Sequence, residues 1–252
     1  MITEGAMPLF DIIAHSNPKS PISEAFRTLR TNIQFSGFDK PLKTLVVTSS
    51  GPGEGKTTTI ANLAITFAQA GSKVLLLDGD LRRPKVHKLF QQNNIHGLTN
   101  VLTGHEDYKK YLLKSNIENL DVLSCGAIPP NPSEILASNA MKQFLQKVQE
   151  DYDRIFIDSP PVGHVTDAAI LSTIVDGTIL VAASGTVEVE AIKRAKELLE
   201  KVNANIVGVV LNKLDKNAQG NYYYYYYYYY GEDNAVKTSR GHKKKPVEKN
   251  GL

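Results

Sequence analysis

Residues 45–59 read L-V-V-T-S-S-G-P-G-E-G-K-T-T-T, and no other stretch limits the possible folds as tightly. Residues 45–48 are apolar or β-branched and form a buried strand, which the Gly/Pro-rich run behind them cannot continue. Residues 56–70 contain neither Pro nor Gly and set Ile60, Leu63, Ala64 and Phe67 on one helical face, so the chain turns from strand directly into helix. Strand, glycine loop and helix together make a phosphate cradle. Gly53 and Gly55 let the backbone bring successive N–H groups to an anion, and the helix N-terminus adds partial positive charge. In this arrangement Lys56 reaches the β- and γ-phosphates and Thr57 is placed to ligate Mg²⁺, with Glu54 and Thr58 in the same nucleotide-facing run. One position departs from the usual spacing: Ser50 stands where a glycine begins the loop.

The 252 residues suffice for one sizeable core, and alternating strand and helix patterns leave no seam for a second domain. The expected fold class is therefore α/β: a P-loop NTPase-like, mostly parallel β-sheet with helices on both faces, in a single domain. Net charge is only +3, part of it from His242-Lys243-Lys244-Lys245, so no direct nucleic-acid partner is expected. The single cysteine, Cys125, excludes an intrachain disulfide and any multi-cysteine metal or iron–sulfur site within one chain, and fits a reducing cytosol. No apolar run approaches the ~20 residues of a membrane span, and the N-terminus carries no secretory pattern, so a cytoplasmic protein is expected.

Residues 1–19 read as an N-terminal extension, 20–216 as the folded domain and 217–252 as a tail. Ser20-Pro21 starts a helix well, with Ser as cap and Pro first. Ile22, Phe26, Leu29 and Ile33 form its inward face, while Glu24, Arg27 and Arg30 step along another and are expected to be solvated or to meet a second chain. Residues 73–80 contain V-L-L-L-D-G-D, a strand buried on both faces and hence parallel and central. Arg82 and Arg83 follow, placed either to contact phosphate or to remain in solvent. Short helices are expected near 98–102 and 108–113, and a strand at 120–124. A helix capped by Asn131, with Pro132 first and Glu134 third, should run to about residue 150. R-I-F-I-D at 154–158 is another buried strand, stopped by S-P-P. Strands at 177–183 and 206–211 flank an amphipathic helix at 188–202. Beyond Asn221 stand nine unbroken tyrosines and then a polar, Lys-rich run, expected to be disordered.

Asp78, Asp80 and Asp158 stand at strand ends beside the phosphate loop, where open α/β sheets bind ligands. Such carboxylates suit a magnesium-nucleotide site, which must neutralise phosphate charge, position an acceptor and remove its proton. With S-S-G-P-G-E-G-K-T, the runs L-L-L-D-G-D-L-R and I-F-I-D-S-P-P resemble the Walker A, second Walker A-type and Walker B motifs of the bacterial tyrosine kinases. P-P-N-P-S-E-I-L, E-A-F-R-T-L-R and the tyrosine cluster resemble that family too, so the likeness spans residues 20–230.

The resemblance implies ATP and Mg²⁺ as cofactors, with Lys56 and Thr57 on phosphate and metal, Asp80 and Asp158 organising the metal, Asp78 as base and Asn212 meeting adenine. It implies a homo-oligomeric ring held through Glu24, Arg27 and Arg30 as an E-x-x-R-x-x-R motif. The acceptors would be Tyr222, Tyr223, Tyr224, Tyr225, Tyr226, Tyr227, Tyr228, Tyr229 and Tyr230, phosphorylated in trans. It further implies a transmembrane adaptor that recruits and activates the chain through a cytosolic tail, other tyrosine-protein substrates, an opposing tyrosine phosphatase, and a role in capsule or exopolysaccharide synthesis. The unbroken tract departs from family clusters, in which other residues are interspersed.

The main rival is a partition or cell-division ATPase of the same fold. Such proteins commonly carry a second lysine early in the loop, and residues 50–54 have none. A GTPase is suggested by Asn212-Lys213-Leu214-Asp215, whose spacing can read guanine, but the Asp78/Asp80 pair does not belong to that pattern. An iron–sulfur reductase lacks its cysteines, and a nonenzymatic scaffold would function without Lys56.

Overall fold

The computed structural model describes residues 12–37, 41–104, 106–113 and 115–214. The tyrosine tract and the basic run after it lie outside them. Along the described chain run α1 (Ile13–Ser16), α2 (Pro21–Ser36), β1 (Thr44–Ser49), α3 (Lys56–Gln69), β2 (Val74–Asp78), α4 (Val86–Leu89) and α5 (Leu98–Gly104). Then come a 3₁₀ turn (Tyr108–Tyr111), β3 (Leu112–Leu113), β4 (Leu120–Leu123), α6 (Pro132–Ala137), α7 (Asn139–Asp151) and β5 (Arg154–Asp158). The last elements are α8 (Asp167–Ser172), β6 (Gly177–Ala183), α9 (Val189–Glu200) and β7 (Ile206–Asn212).

The strands form one sheet in the order β3-β4-β2-β5-β1-β6-β7. Every pairing is parallel except that of the two-residue edge strand β3 with β4. Alternate residues of the central strands feed two cores, as the period of two in a strand requires. Leu45, Val47, Leu76 and Phe156 pack under α1–α4 with Ile60, Leu63 and Phe67. Val46, Leu75, Leu77, Ile155 and Ile157 pack under α5–α8 with Leu136, Phe144 and Leu171. Burial on both faces explains why β1 and β2 read as continuous apolar runs. Strand β5 lies between β1 and β2, so the loops after all three open side by side at one end of the sheet.

Several local expectations meet a different outcome. The helix expected from residue 132 to about 150 is two helices, because Ser138 is extended and its hydroxyl accepts from the Met141 N–H (3.2 Å) while donating to the Ile135 carbonyl (2.7 Å). Asn131 does not cap with its side chain; its amide donates to the Glu134 carboxylate instead (2.5 Å). On α2, Ser20 caps as expected, accepting from the Ser23 N–H at 3.0 Å. Ile33 is buried and Leu29 packs on the core, but Ile22 is 44% exposed. The first turn meets the body through Ser23, whose hydroxyl donates to the carbonyls of Ile13 and Asn17. Ile12 and Ala14 are buried, and the Ala14 N–H donates to Asn62 Oδ1 (2.8 Å), so the stretch read as an extension joins the core from Ile12 onward.

Candidate nucleotide site

The site begins at the end of β1. Gly53 and Gly55 have φ of +78° and +94°, left-handed values that side chains with a Cβ adopt at a cost. Gly55 is doubly required, since a Cβ there would lie 2.1 Å from Asn212 Nδ2. The loop is tied internally by Glu54, whose buried carboxylate accepts from the Ser50 hydroxyl (2.7 Å), the Gly51 N–H and the Ala183 N–H (3.3 Å). Ser50 therefore has a positive role at the position where glycine is usual: its hydroxyl closes the loop on Glu54. From outside, the last residues of the sheet clasp the same loop, Asn212 Nδ2 donating to the Glu54 carbonyl (2.9 Å) and Lys213 Nζ to the Gly53 carbonyl (2.7 Å). Asn212 is thus placed at the loop's flank, where the sequence expectation set it beside the base.

Lys56 and Thr57 open α3, Lys56 buried and Thr57 half-buried, with Thr58 exposed beside them. The Thr57 hydroxyl donates to Asp158 Oδ2 at 2.6 Å. Asp158 ends β5 and Asp78 ends β2, and the two are register partners across the parallel pair. Both are buried, and each leaves its Oδ1 without a hydrogen-bond partner. Asp78 Oδ2 accepts from the N–H groups of Lys85 (3.0 Å) and Val86 (2.9 Å). Asp80, half-buried in the loop after β2, accepts from the N–H groups of Arg82 (3.3 Å) and Arg83 (3.0 Å).

Burial pushes the Asp158 carboxyl up to about 6, opposed by the Thr57 hydroxyl and the Lys56 charge and assisted by Asp80. Burial, followed by the neighbouring Asp158 charge, raises Asp78 well above the usual carboxylate range. The buried Asp158 Oδ1, without a donor and beside the Thr57 hydroxyl and Lys56, fits a hard divalent cation such as Mg²⁺. Among the described residues no three acidic, histidine or cysteine side chains form a metal cage. A Mg²⁺ ion held by one or two carboxylates and substrate phosphates needs none.

Sequence reasoning missed a second group at this end of the sheet. Arg82, left open between phosphate and solvent, forms a two-point ion pair with Asp167 at the start of α8, a helix that short length and the S-P-P stop concealed. Glu24, Arg27 and Arg30 lie elsewhere, on α2, half-buried rather than free in solvent. Arg27 pairs with Glu24 and the Pro18 carbonyl, and Arg30 donates to the Thr66 carbonyl at 2.9 Å. Among the described residues no helix is long and apolar enough to cross a membrane.

Comparison with known proteins places this geometry. A family model for ParA, described as the NUBPL iron-transfer P-loop NTPase, matches residues 41–243. Tyrosine-protein kinase YwqD of Bacillus subtilis is 45% identical over 84% of this chain and 90% of its own. The crystal structure of the chimerical protein CapA2B2 superposes with a TM-score of 0.79 at 42% identity, over 82% of this chain and 91% of that one. The kinase domain of Escherichia coli tyrosine kinase ETK gives 0.80 at 34% identity, over 88% and 87%. The one cysteine here, Cys125, is buried with its thiol pushed up to about 12, first by burial, and offers no ligand set for iron.

Proposed function

Because the chain belongs to the bacterial tyrosine-protein kinases, a family on the ParA-type P-loop NTPase fold, we propose that it transfers the γ-phosphate of Mg-ATP to tyrosines 222–230 of a neighbouring copy. The observation that carries this reading is the juxtaposition of Thr57, Asp158 and Asp78 at the mouth of the phosphate loop, with two buried carboxylate oxygens lacking a donor. Lys56 draws charge from the β- and γ-phosphates. Thr57 and Asp158, with help from Asp80, would hold Mg²⁺, which would supply neutralisation of phosphate charge there. Asp78 receives the tyrosine proton. Its Oδ2 is fixed by the Lys85 and Val86 N–H groups, which leaves Oδ1 as the accepting atom, and burial raises the proton affinity of this carboxylate. Asn212, anchored on the loop, borders the adenine.

Glu24, Arg27 and Arg30 supply the ring interface, and a transmembrane adaptor brings the chain to the inner face of the membrane through its cytosolic tail. The ring regulates capsule or exopolysaccharide synthesis, acts on further tyrosine-protein substrates and is reversed by a tyrosine phosphatase. Support for the kinase reading over a partition ATPase comes from the loop, where Glu54 and Ser50 occupy the space with an internal bond and no second lysine. Incubation with Mg-ATP followed by mass spectrometry should find phosphate on residues 222–230, and none in Lys56→Met. Nucleotide hydrolysis without phosphotyrosine, with or without the adaptor's tail, would favour the ATPase instead.

A further inference from the structure

We propose that Arg82 is a positioning residue for Asp80, its ion pair with Asp167 fixing the turn that carries this metal-organising carboxylate. The proposal rests on the reading of Asp80 as part of the metal site. After β2 the chain passes so close to β5 that a Cβ on Gly79 would lie 2.7 Å from the Asp158 carbonyl. The turn that follows is held at both ends. At one end, Asp80 Oδ1 accepts from the main-chain N–H groups of Arg82 and Arg83, so the direction of the carboxylate follows the path of residues 82–83.

At the other end the Arg82 guanidinium grips Asp167, with Nε to Oδ2 at 2.8 Å and Nη2 to Oδ1 at 3.0 Å. The Ser133 hydroxyl, in the first turn of α6, donates to the same Oδ1 (3.0 Å) and accepts from Nη2 (2.8 Å). Asp167 is fully buried, whereas the Arg82 side chain is 38% exposed, so the fixed partner is the carboxylate on α8 and the arginine is what it holds. A two-point fork sets direction as well as distance, and a lysine cannot reproduce it. The ion pair therefore ties two helices on one face of the sheet to the carboxylate facing the nucleotide. Outer partners of this kind orient the groups that meet the metal.

The test uses the full chain with ADP and Mn²⁺ as the probe, read by electron paramagnetic resonance titration beside a thermal melt. Arg82→Lys tests the fork. The double variant Arg82→Met/Asp167→Asn removes both charges, so no buried ion is left unpaired to unfold the protein. Asp80→Asn is the control for the metal reading. The proposal expects Arg82→Lys and the double variant to bind Mn²⁺ about tenfold more weakly, the loss typical of an outer partner, while the double variant melts near the wild type. Mn²⁺ binding unchanged in both Arg82 variants but weakened in Asp80→Asn would overturn the positioning role alone. Binding unchanged in Asp80→Asn would overturn the metal reading beneath it.

Discussion

Burial pushes the Asp158 carboxyl up to about 6, and this contributes a pH dependence to the site. If Asp158 holds the metal as proposed, binding requires its carboxylate, so below about pH 6 a proton must leave before the cation enters. Mg²⁺-dependent nucleotide affinity should therefore fall about tenfold for each unit of pH below 6, measured by fluorescence titration with and without Mg²⁺. Affinity that stays flat from pH 7 to 5 would contradict the role of this side chain. Stability follows the opposite sign. The folded carboxyl lies above its ordinary 3.8, so between about pH 4 and 6 the folded state keeps a proton that the unfolded state has lost. The nucleotide-free protein is accordingly weakened as pH rises through that window and carries a buried charge above it. Asp158→Asn should raise the melting temperature of the nucleotide-free protein at pH 7.5 and flatten its dependence across the window, at the expense of metal binding.

At the scale of elements, α2 depends on its first turn. Ser20→Ala removes the side-chain cap on the Ser23 N–H and should cost about 1 kcal/mol in urea denaturation, whereas a change in the noise would mean that α1 alone secures this end. The cap was legible because Ser-Pro is a local signal. So were the buried strands and the phosphate loop, whose apolar runs and glycines report their surroundings directly. Ser138 was not legible: a serine inside an apolar-periodic run reads as helix, and only its bonds to Ile135 and Met141 divide α6 from α7. Contacts between distant segments were hidden for the same reason. The Glu54 bond to Ala183 and the Arg82–Asp167 pair join residues 129 and 85 positions apart, and no periodicity encodes them. The carboxylates at strand ends were found by position, but the pairing of Asp78 with Asp158 needed the strand order.

At the scale of the whole molecule, the proposed reaction makes the nine tyrosines at 222–230 of one copy the substrate of another copy's site. Ordering a whole nine-residue substrate would cost about 1–2 kcal/mol per residue, so on the proposed reading the site engages one ring at a time at least cost. The proposed ring would raise the local acceptor concentration to roughly millimolar, enough for a weakly held peptide. Each phosphate added under the proposed reaction would contribute about −1.5 to −2 charges, so a few would overturn the net +3 and favour dissociation of the ring. The central claim is transfer between copies, and a mixing experiment tests it most directly. A Lys56→Met chain that keeps its tyrosines is incubated with Mg-ATP and an active chain whose residues 222–230 are all phenylalanine, and the isolated Lys56→Met chain is analysed for phosphotyrosine. The account predicts phosphate on its tract, and less of it when Arg27 and Arg30 of the active chain are changed to Ala. A Lys56→Met chain that remains unmodified, while wild-type protein alone becomes phosphorylated, would contradict transfer between copies and place the reaction within a single chain.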